Sequence, residues 1–246
     1  MSKQKIKFDT SNLPPDNVRQ LGHKKKFHIK DLINLAPKTN KQSQFLTAYY
    51  SQIPIILQTG CAGTGKSLMA LYAALSEVFD ESSEFKKVLI VRSAVETRSI
   101  GFLPGDASEK SAPYEIPYQD LTNFLITYNN PYHNLKDLGY LDFRLTTHVR
   151  GLTFDNTIMI MDEAQNMDES EILSVLTRLG LHSKVVICGD TKQDDLFRQK
   201  FKSGFNYLQN LVNLIDPSKT AVIEYGIDDI VRSDIVRDIL IADSKI

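Results

Sequence analysis

A short glycine-rich segment places the tightest constraint on the fold of this chain. Residues 60–67 read GCAGTGKS, directly after the apolar run 53–57 and directly before the amphipathic stretch 67–79. The spacing fits G-x-x-x-x-G-K-[ST] between a strand and a helix. Glycines let consecutive backbone N–H groups converge on an anion, and the amino end of a helix favours negative charge at the same place. The segment therefore predicts a phosphate-binding loop.

Two side chains at the end of this loop have separate predicted tasks. Lys66 is expected to contact the β- and γ-phosphates of a nucleoside triphosphate, and the hydroxyl oxygen of Ser67 is expected to bind Mg²⁺. The loop itself works through its backbone, so Cys61 and Ala62 between the glycines contribute N–H groups rather than side chains. The segment thus predicts a Walker A motif with Mg²⁺ as a cofactor.

A second motif agrees with the first. Residues 158–161 form an apolar strand that runs into Asp162 and Glu163. The carboxyl ends of parallel strands meet at one edge of a sheet, where ligands of open α/β folds bind. Asp162 is placed to hold Mg²⁺ through its water shell, and Glu163 to orient and deprotonate a water that attacks the γ-phosphate. The pair is the predicted Walker B motif.

A third strand, 185–188, runs into residues 189–193 at the same predicted edge. Gln193 is expected to contact the γ-phosphate or the attacking water. Residues 191–194 also match the guanine pattern [NT]-K-x-D, which raises the alternative of a GTP-type switch. Against that alternative, Asp162 is followed by Glu-Ala-Gln, so the D-x-x-G of a switch loop is missing.

Periodicity along the rest of the chain predicts an α/β fold. Short, continuously apolar runs alternate with helical patterns, which favours a doubly wound, mainly parallel sheet with helices on both faces. The predicted strands are 53–57, 88–91, 143–147, 158–161, 184–188 and 220–225. The predicted helices are 67–79, 169–179, 203–214 and 234–242. Residues 101–140 interrupt the alternation and are predicted to be an excursion with one short helix at 119–127.

Charge divides the chain into two parts. Residues 1–30 carry eight lysines and arginines against two aspartates, so this stretch is +6 and the remainder −7, given a net charge of −1. We predict a basic, flexible arm over 1–28 and a single domain over 29–246. No apolar run approaches the ~20 residues of a bilayer helix, and two cysteines far apart favour free thiols, so we expect a cytoplasmic protein without membrane contact.

Together these motifs resemble the PhoH family of P-loop ATPases, which share their core with superfamily 1 helicases. The resemblance spans residues 38–240. Besides the loop, it rests on the segments 101–106 (GFLPGD), 162–166 (DEAQN), 176–180 (LTRLG), 189–193 (GDTKQ) and 229–232 (DIVR). The family implies a RecA-like core that binds ATP, commonly assembles as rings and is associated with RNA or DNA.

The resemblance also implies roles for residues outside the loop. Residues 39–42 resemble the family's glutamine element, whose amide reads adenine, and Gln42 is preferred there over Gln44. The residues assigned to ATP are Gly60, Cys61, Ala62, Gly63, Thr64, Gly65, Lys66, Ser67 and Gln42. The catalytic set is Glu163, Lys66, Gln193 and Arg232.

Only one phosphate loop occurs in the sequence, so a neighbouring copy is expected to complete the site. An arginine finger contributes about 10³ to 10⁵ in rate, and in a head-to-tail ring each copy supplies one to the next. We expect a homo-oligomeric ring, a hexamer by resemblance. Arg232 is the preferred finger, with Arg150 and Arg178 as alternatives.

Binding of RNA or single-stranded DNA is the expected purpose of this ring. The predicted contacts are Arg92 and Phe102 at the ligand edge and Lys24, Lys25 and Lys26 in the arm, with Tyr114 and Tyr118 as further stacking candidates. Aromatic residues at this spacing also serve to pin a loop to a core. The competing interpretation is a structural ring or scaffold that uses ATP only to assemble, and the near-neutral charge favours it slightly.

Overall fold

The computed structural model describes residues 26–94, 107–190 and 204–243. Its strands are β1 Ile55–Gly60, β2 Lys87–Arg92, β3 Leu141–Leu145, β4 Thr157–Met161, β5 Lys184–Cys188 and β6 Thr220–Tyr225. Its α-helices are α1 Asn40–Tyr50, α2 Lys66–Val78, α3 Ala107–Leu125, α4 Pro131–Asp137, α5 Glu169–Leu176, α6 Phe205–Leu214 and α7 Asp234–Asp243.

The six strands form one sheet in the order β3-β2-β4-β5-β1-β6, and every neighbouring pair is parallel. β5 lies between β1, which leads into the glycine-rich loop, and β4, which leads into the two acids. All six carboxyl ends reach the same edge of the sheet, so the loop and the acids are brought together there. The predicted doubly wound, parallel α/β fold is confirmed.

Alternate residues of the four inner strands, β1, β2, β4 and β5, enter two separate cores. In β2, Val88 and Ile90 pack in the core beneath α1 to α4, while Leu89 and Val91 pack in the core beneath α5 and α6. A strand covered on both faces has no exposed side, which explains why the inner strands are largely apolar without alternation. The edge strands β3 and β6 bury one face only.

Strands β5 and β6 have the predicted bounds, whereas β1 begins and ends later than predicted. It runs to Gly60 and includes Gln58 and Thr59, which are buried although polar. The hydroxyl of Tyr225 donates to Gln58 Oε1 at 2.7 Å, so one of these polar groups is satisfied inside the sheet. Apolar composition alone could not reveal such a pairing.

The excursion differs most from its prediction. Instead of a short helix at 119–127, α3 extends over 19 residues from Ala107 to Leu125, and α4 follows it. Pro113 and Pro117 lie inside α3, and proline inside a helix removes backbone hydrogen bonds. Packing of Tyr118 and Leu125 in the core outweighs this local penalty.

The boundary of the predicted arm also moves. Phe27 is 3% exposed and stacks on Phe79 with ring centroids 5.3 Å apart. The backbone N–H of Ile33 donates to Leu125 O at the end of α3. Residues 26–33 therefore belong to the domain, and the remainder of the arm lies outside the described residues.

Both cysteines are free, as predicted, and Cys188 is buried at the end of β5. Burial raises the pKa of its thiol, and the nearby Asp162 carboxylate raises it further. Among the described residues, no helix has both the length and the apolar character to cross a bilayer.

Candidate phosphate-binding site at the carboxyl edge of the sheet

The glycine-rich loop needs its glycines for geometric reasons. Gly60, Gly63 and Gly65 have φ angles of 111°, 75° and 83°, a region that disfavours side chains. A Cβ on Gly60 would clash with the carbonyl of Tyr225, and one on Gly63 would lie 2.9 Å from Arg232 Cγ. The loop is therefore a tight backbone turn, and Tyr225 and Arg232 lie close against it.

Hydrogen bonds hold this turn from two sides. The N–H of Cys61 donates to Tyr225 O at 3.2 Å, and the N–H of Val231 donates to Gly63 O at 3.0 Å. The Thr64 hydroxyl, which is buried, donates to Cys61 O at 3.0 Å. The strand β6 and the segment after it thus fix the conformation of the loop.

Gln42 and Gln44 face in different directions. Gln42 is 3% exposed, and its Nε2 donates to Thr64 O at 2.9 Å while its Oε1 accepts from the N–H of Lys38 at 2.7 Å. Gln44 is exposed. The structure therefore places Gln42, and not Gln44, against the loop.

Lys66 and Ser67 begin α2, whose amino end points at the loop. Lys66 Nζ donates to the carbonyls of Gly60 and Cys61, each at 2.8 Å, so the ammonium lies over the turn. The Ser67 hydroxyl donates to Asp162 Oδ1 at 2.8 Å across 95 residues of sequence. The two predicted Mg²⁺ residues are in direct contact.

The second oxygen of Asp162 has a partner that the sequence did not suggest. The Tyr118 hydroxyl on α3 donates to Asp162 Oδ2 at 2.6 Å. Tyr118 is 2% exposed, and burial, together with the Asp162 charge, raises its pKa well above the ordinary value, so the phenol remains a donor. Tyr118 therefore orients the carboxylate and cannot stack on a base, and Tyr114 is partly buried against the same core.

Glu163, the predicted general base, lines the same cleft as Asp162. Its backbone is left-handed, with φ 53° and ψ 44°, a conformation that non-glycine residues adopt mainly at constrained sites. Burial raises the pKa of its carboxyl, and the adjacent Asp162 raises it further. Gln165 Nε2 donates to Glu163 Oε2 at 2.6 Å, and Gln165 Oε1 accepts from the N–H of Asp190 at 3.0 Å.

These groups line a cleft of about 650 Å³ at the carboxyl edge. Its lining includes the loop and three cationic side chains, Lys66, Arg92 and Arg232. Four acids also line it, namely Asp120, Asp162, Glu163 and Asp190. Among the described residues, no cluster of three or more His, Cys, Asp or Glu forms a metal cage. Mg²⁺ commonly takes one or two protein oxygens plus phosphates and water, so Ser67 and Asp162 fit it.

The three candidate arginine fingers occupy different positions. Arg232 lies over the loop of its own chain, where its Cγ approaches Gly63. Arg178 bonds the carbonyls of Ser174 and Leu152, and Arg150 is exposed. Neither of the latter two is among the residues lining the cleft.

The remaining predicted contacts are only partly described. Lys26 is exposed, and Arg92 lies in the cleft. Lys24, Lys25, Phe102 and Gln193 lie outside the described residues, as does the guanine-like segment 191–194.

Comparison with known proteins places the chain in one family. Residues 34–243 match the profile described as "PhoH-like protein". A PhoH-like protein of Bacillus subtilis (strain 168) is 34% identical over 209 residues, which cover 85% of this chain and 63% of the relative. A PhoH-like protein of Synechocystis is 33% identical over 205 residues, covering 82% and 60%. The chain thus spans about three fifths of the length of these two relatives.

Among solved structures, the Pif1 helicase of Candida albicans aligns over 78% of this chain and 40% of the helicase chain. The sequence identity is 17% and the TM-score 0.35, a likeness too slight to carry any conclusion.

Proposed function

Because this chain belongs to the PhoH-like protein family, we propose that it binds ATP together with Mg²⁺ and hydrolyses it to ADP and phosphate. The observation that carries this proposal is the contact of Ser67 with Asp162 at 2.8 Å beside Glu163. It joins the glycine-rich loop to the strand-end acids in one cleft. A glycine turn before an ordinary helix would not require such a contact.

The residues of the cleft have different roles in phosphoryl transfer. The loop N–H groups and Lys66 bind the phosphates, and Ser67 and Asp162 hold Mg²⁺, which neutralises phosphate charge when bound. Glu163 accepts a proton from a water as that water attacks the γ-phosphorus and the bond to the β–γ bridging oxygen breaks. A raised pKa suits this role, because a stronger base takes the proton more readily.

We further propose that hydrolysis is coupled to binding, translocation on or remodelling of RNA or single-stranded DNA by a ring of identical subunits. α7 supports assembly, since it exposes Ile235 and Ile239 while Leu240 reaches Gly63 of the loop. An apolar helix face beside a nucleotide site fits a second copy of the chain. The competing proposal is a ring or scaffold in which ATP serves assembly alone.

The decisive measurement is the rate of ATP hydrolysis at one stated salt concentration with no polymer, single-stranded RNA, single-stranded DNA or duplex DNA. A rate that rises with one polymer supports the motor and identifies its partner. A rate that none of the polymers changes supports the scaffold proposal. GTP hydrolysed as well as ATP would contradict the adenine role of Gln42.

The Glu163→Gln variant tests the chemistry itself. It should still bind ATP but lose about 10² to 10⁴-fold in turnover, because general-base catalysis supplies that range. Glu169→Gln is the matched control, since Glu169 is an exposed acid six residues away. Turnover retained by Glu163→Gln would remove Glu163 as the base.

A further inference from the structure

Arg92 is a cation in the cleft that the proposed chemistry does not use. It is the last residue of β2, the strand that pairs with β4 on the side away from β5. The N–H of Asp162 donates to Val91 O at 3.0 Å, so the backbone before Arg92 lies directly beside the acid pair. Its side chain lines the same cleft as Lys66 and Glu163.

The guanidinium of Arg92 is incompletely paired. Its Nε is buried and has no hydrogen-bond partner in the part of the chain that the structure describes. A buried donor without an acceptor costs free energy, and the cost is larger when the group is charged. Because Arg92 lines the cleft, a phosphate oxygen bound there offers an acceptor to this guanidinium.

One phenol and two carboxylates near Arg92 favour its cationic form. Although burial opposes the charge, Tyr118, Asp162 and Glu163 raise the pKa of Arg92, so it stays cationic. A planar guanidinium recognises phosphate through two parallel N–H groups, which the ammonium of lysine cannot do.

We propose that Arg92 binds the terminal phosphate of ATP in the site of its own chain, and so distinguishes ATP from ADP. This inference rests on the proposed function. It assigns Arg92 a different ligand from the nucleic acid strand expected from the sequence. The triphosphate brings several negative charges to a cleft that already contains Asp162 and Glu163, and Arg92 supplies a fixed positive charge beside those acids.

The test compares the affinities of a slowly hydrolysed ATP analogue, ATPγS, and of ADP, each displacing a fluorescent ADP at one Mg²⁺ concentration. Arg92→Gln should weaken ATPγS about tenfold to a hundredfold, the range for a lost charge-assisted hydrogen bond, and change ADP by less than about threefold. Arg92→Lys keeps the charge but loses the pair of parallel N–H groups, so its affinity for ATPγS should fall by an intermediate amount. If Arg92→Gln fails to fold, the selectivity of Arg92→Lys carries the test.

Arg144→Gln is the matched control, because Arg144 is a half-buried arginine on the adjacent strand β3 that pairs with Asp142 and does not line the cleft. It should leave both affinities unchanged. Equal losses of ATPγS and ADP in Arg92→Gln would mean that Arg92 only balances the acids, and would overturn the inference. Loss of single-stranded RNA or DNA binding with unchanged nucleotide affinities would overturn it as well.

Failure of the proposed function gives a different pattern. In that case wild-type protein does not bind ATPγS, or binds it in a way that Lys66→Ala does not weaken.

Discussion

At the scale of single residues, Gln42 makes an observed contact with the loop and has a predicted role with adenine, and a binding experiment can separate the two. Its amide spans from Lys38 N to Thr64 O, so it fixes the loop in addition to its predicted role with adenine. Gln42→Ala should weaken ATP about tenfold through lost hydrogen bonds. If the amide also reads adenine, the preference for ATP over GTP should disappear at the same time. Competition of ATP and GTP for a fluorescent nucleotide measures both effects.

Gln44→Ala controls for the removal of a glutamine from α1, since Gln44 is exposed. Its affinities should match wild type. If Gln42→Ala binds ATP less well yet still prefers ATP to GTP, Gln42 supports the loop but does not read adenine.

Sequence could predict those site residues that a motif fixes in spacing, such as Lys66, Ser67 and Asp162. It could not assign Tyr118 to Asp162, because this pairing joins α3 to β4 through tertiary packing and has no characteristic spacing. Gln165 belongs to the segment 162–166, but it links Glu163 to the backbone of Asp190 only because β4 and β5 are adjacent in the sheet.

At the scale of elements, one buried carboxylate joins α3 to α4. Glu115 accepts from Ser111 on its own helix, and from Tyr132 and Lys136 on α4, at 2.9, 2.7 and 2.7 Å. Burial alone raises the pKa of Glu115, but these hydrogen bonds outweigh it, so the pKa lies below the ordinary value of 4.5. The ionised form is therefore the one that stabilises the fold.

Glu115→Gln should lower the free energy of unfolding by about 2 kcal/mol near neutral pH, the cost of hydrogen bonds to a charged group. A lowered pKa gives stability that is present above the ordinary value and lost as pH falls below it, so the difference from wild type should shrink below pH 4.5. Urea unfolding at about pH 7 and about pH 4 measures this. Glu81→Gln, at an exposed acid, is the control, and a pH-independent difference would contradict the role of the charge.

The inner strands were predictable because burial on both faces leaves a continuous apolar run, and β5 matched its predicted bounds. The edge strand β6 also matched, although only one of its faces is buried. α3 was not predictable, since Pro113 and Pro117 are typical of helix ends and its stability comes from contacts with α4 and the core. The predicted length of α3 was wrong because tertiary packing outweighed the local helix preference of its residues.

At the scale of the whole molecule, Arg232 could act in the nucleotide site of its own chain or in that of a neighbouring subunit. Its side chain approaches Gly63 of its own loop, while α7 directly after it exposes apolar residues to solvent. A role in the same chain and a role across a subunit interface predict different behaviour when two inactive variants are mixed.

Lys66→Ala and Arg232→Ala should each be inactive alone. In a randomly mixed ring with Arg232 acting on the neighbour, a site is intact when its own subunit keeps Lys66 and the adjoining subunit keeps Arg232. An equal mixture then regains about a quarter of wild-type ATP hydrolysis, because each condition is met in half of the cases. If Arg232 acts within its own chain, no mixed ring contains an intact site and the mixture stays inactive. Arg237→Ala, at a partly buried arginine of α7 beside Asp228, controls for damage to that helix.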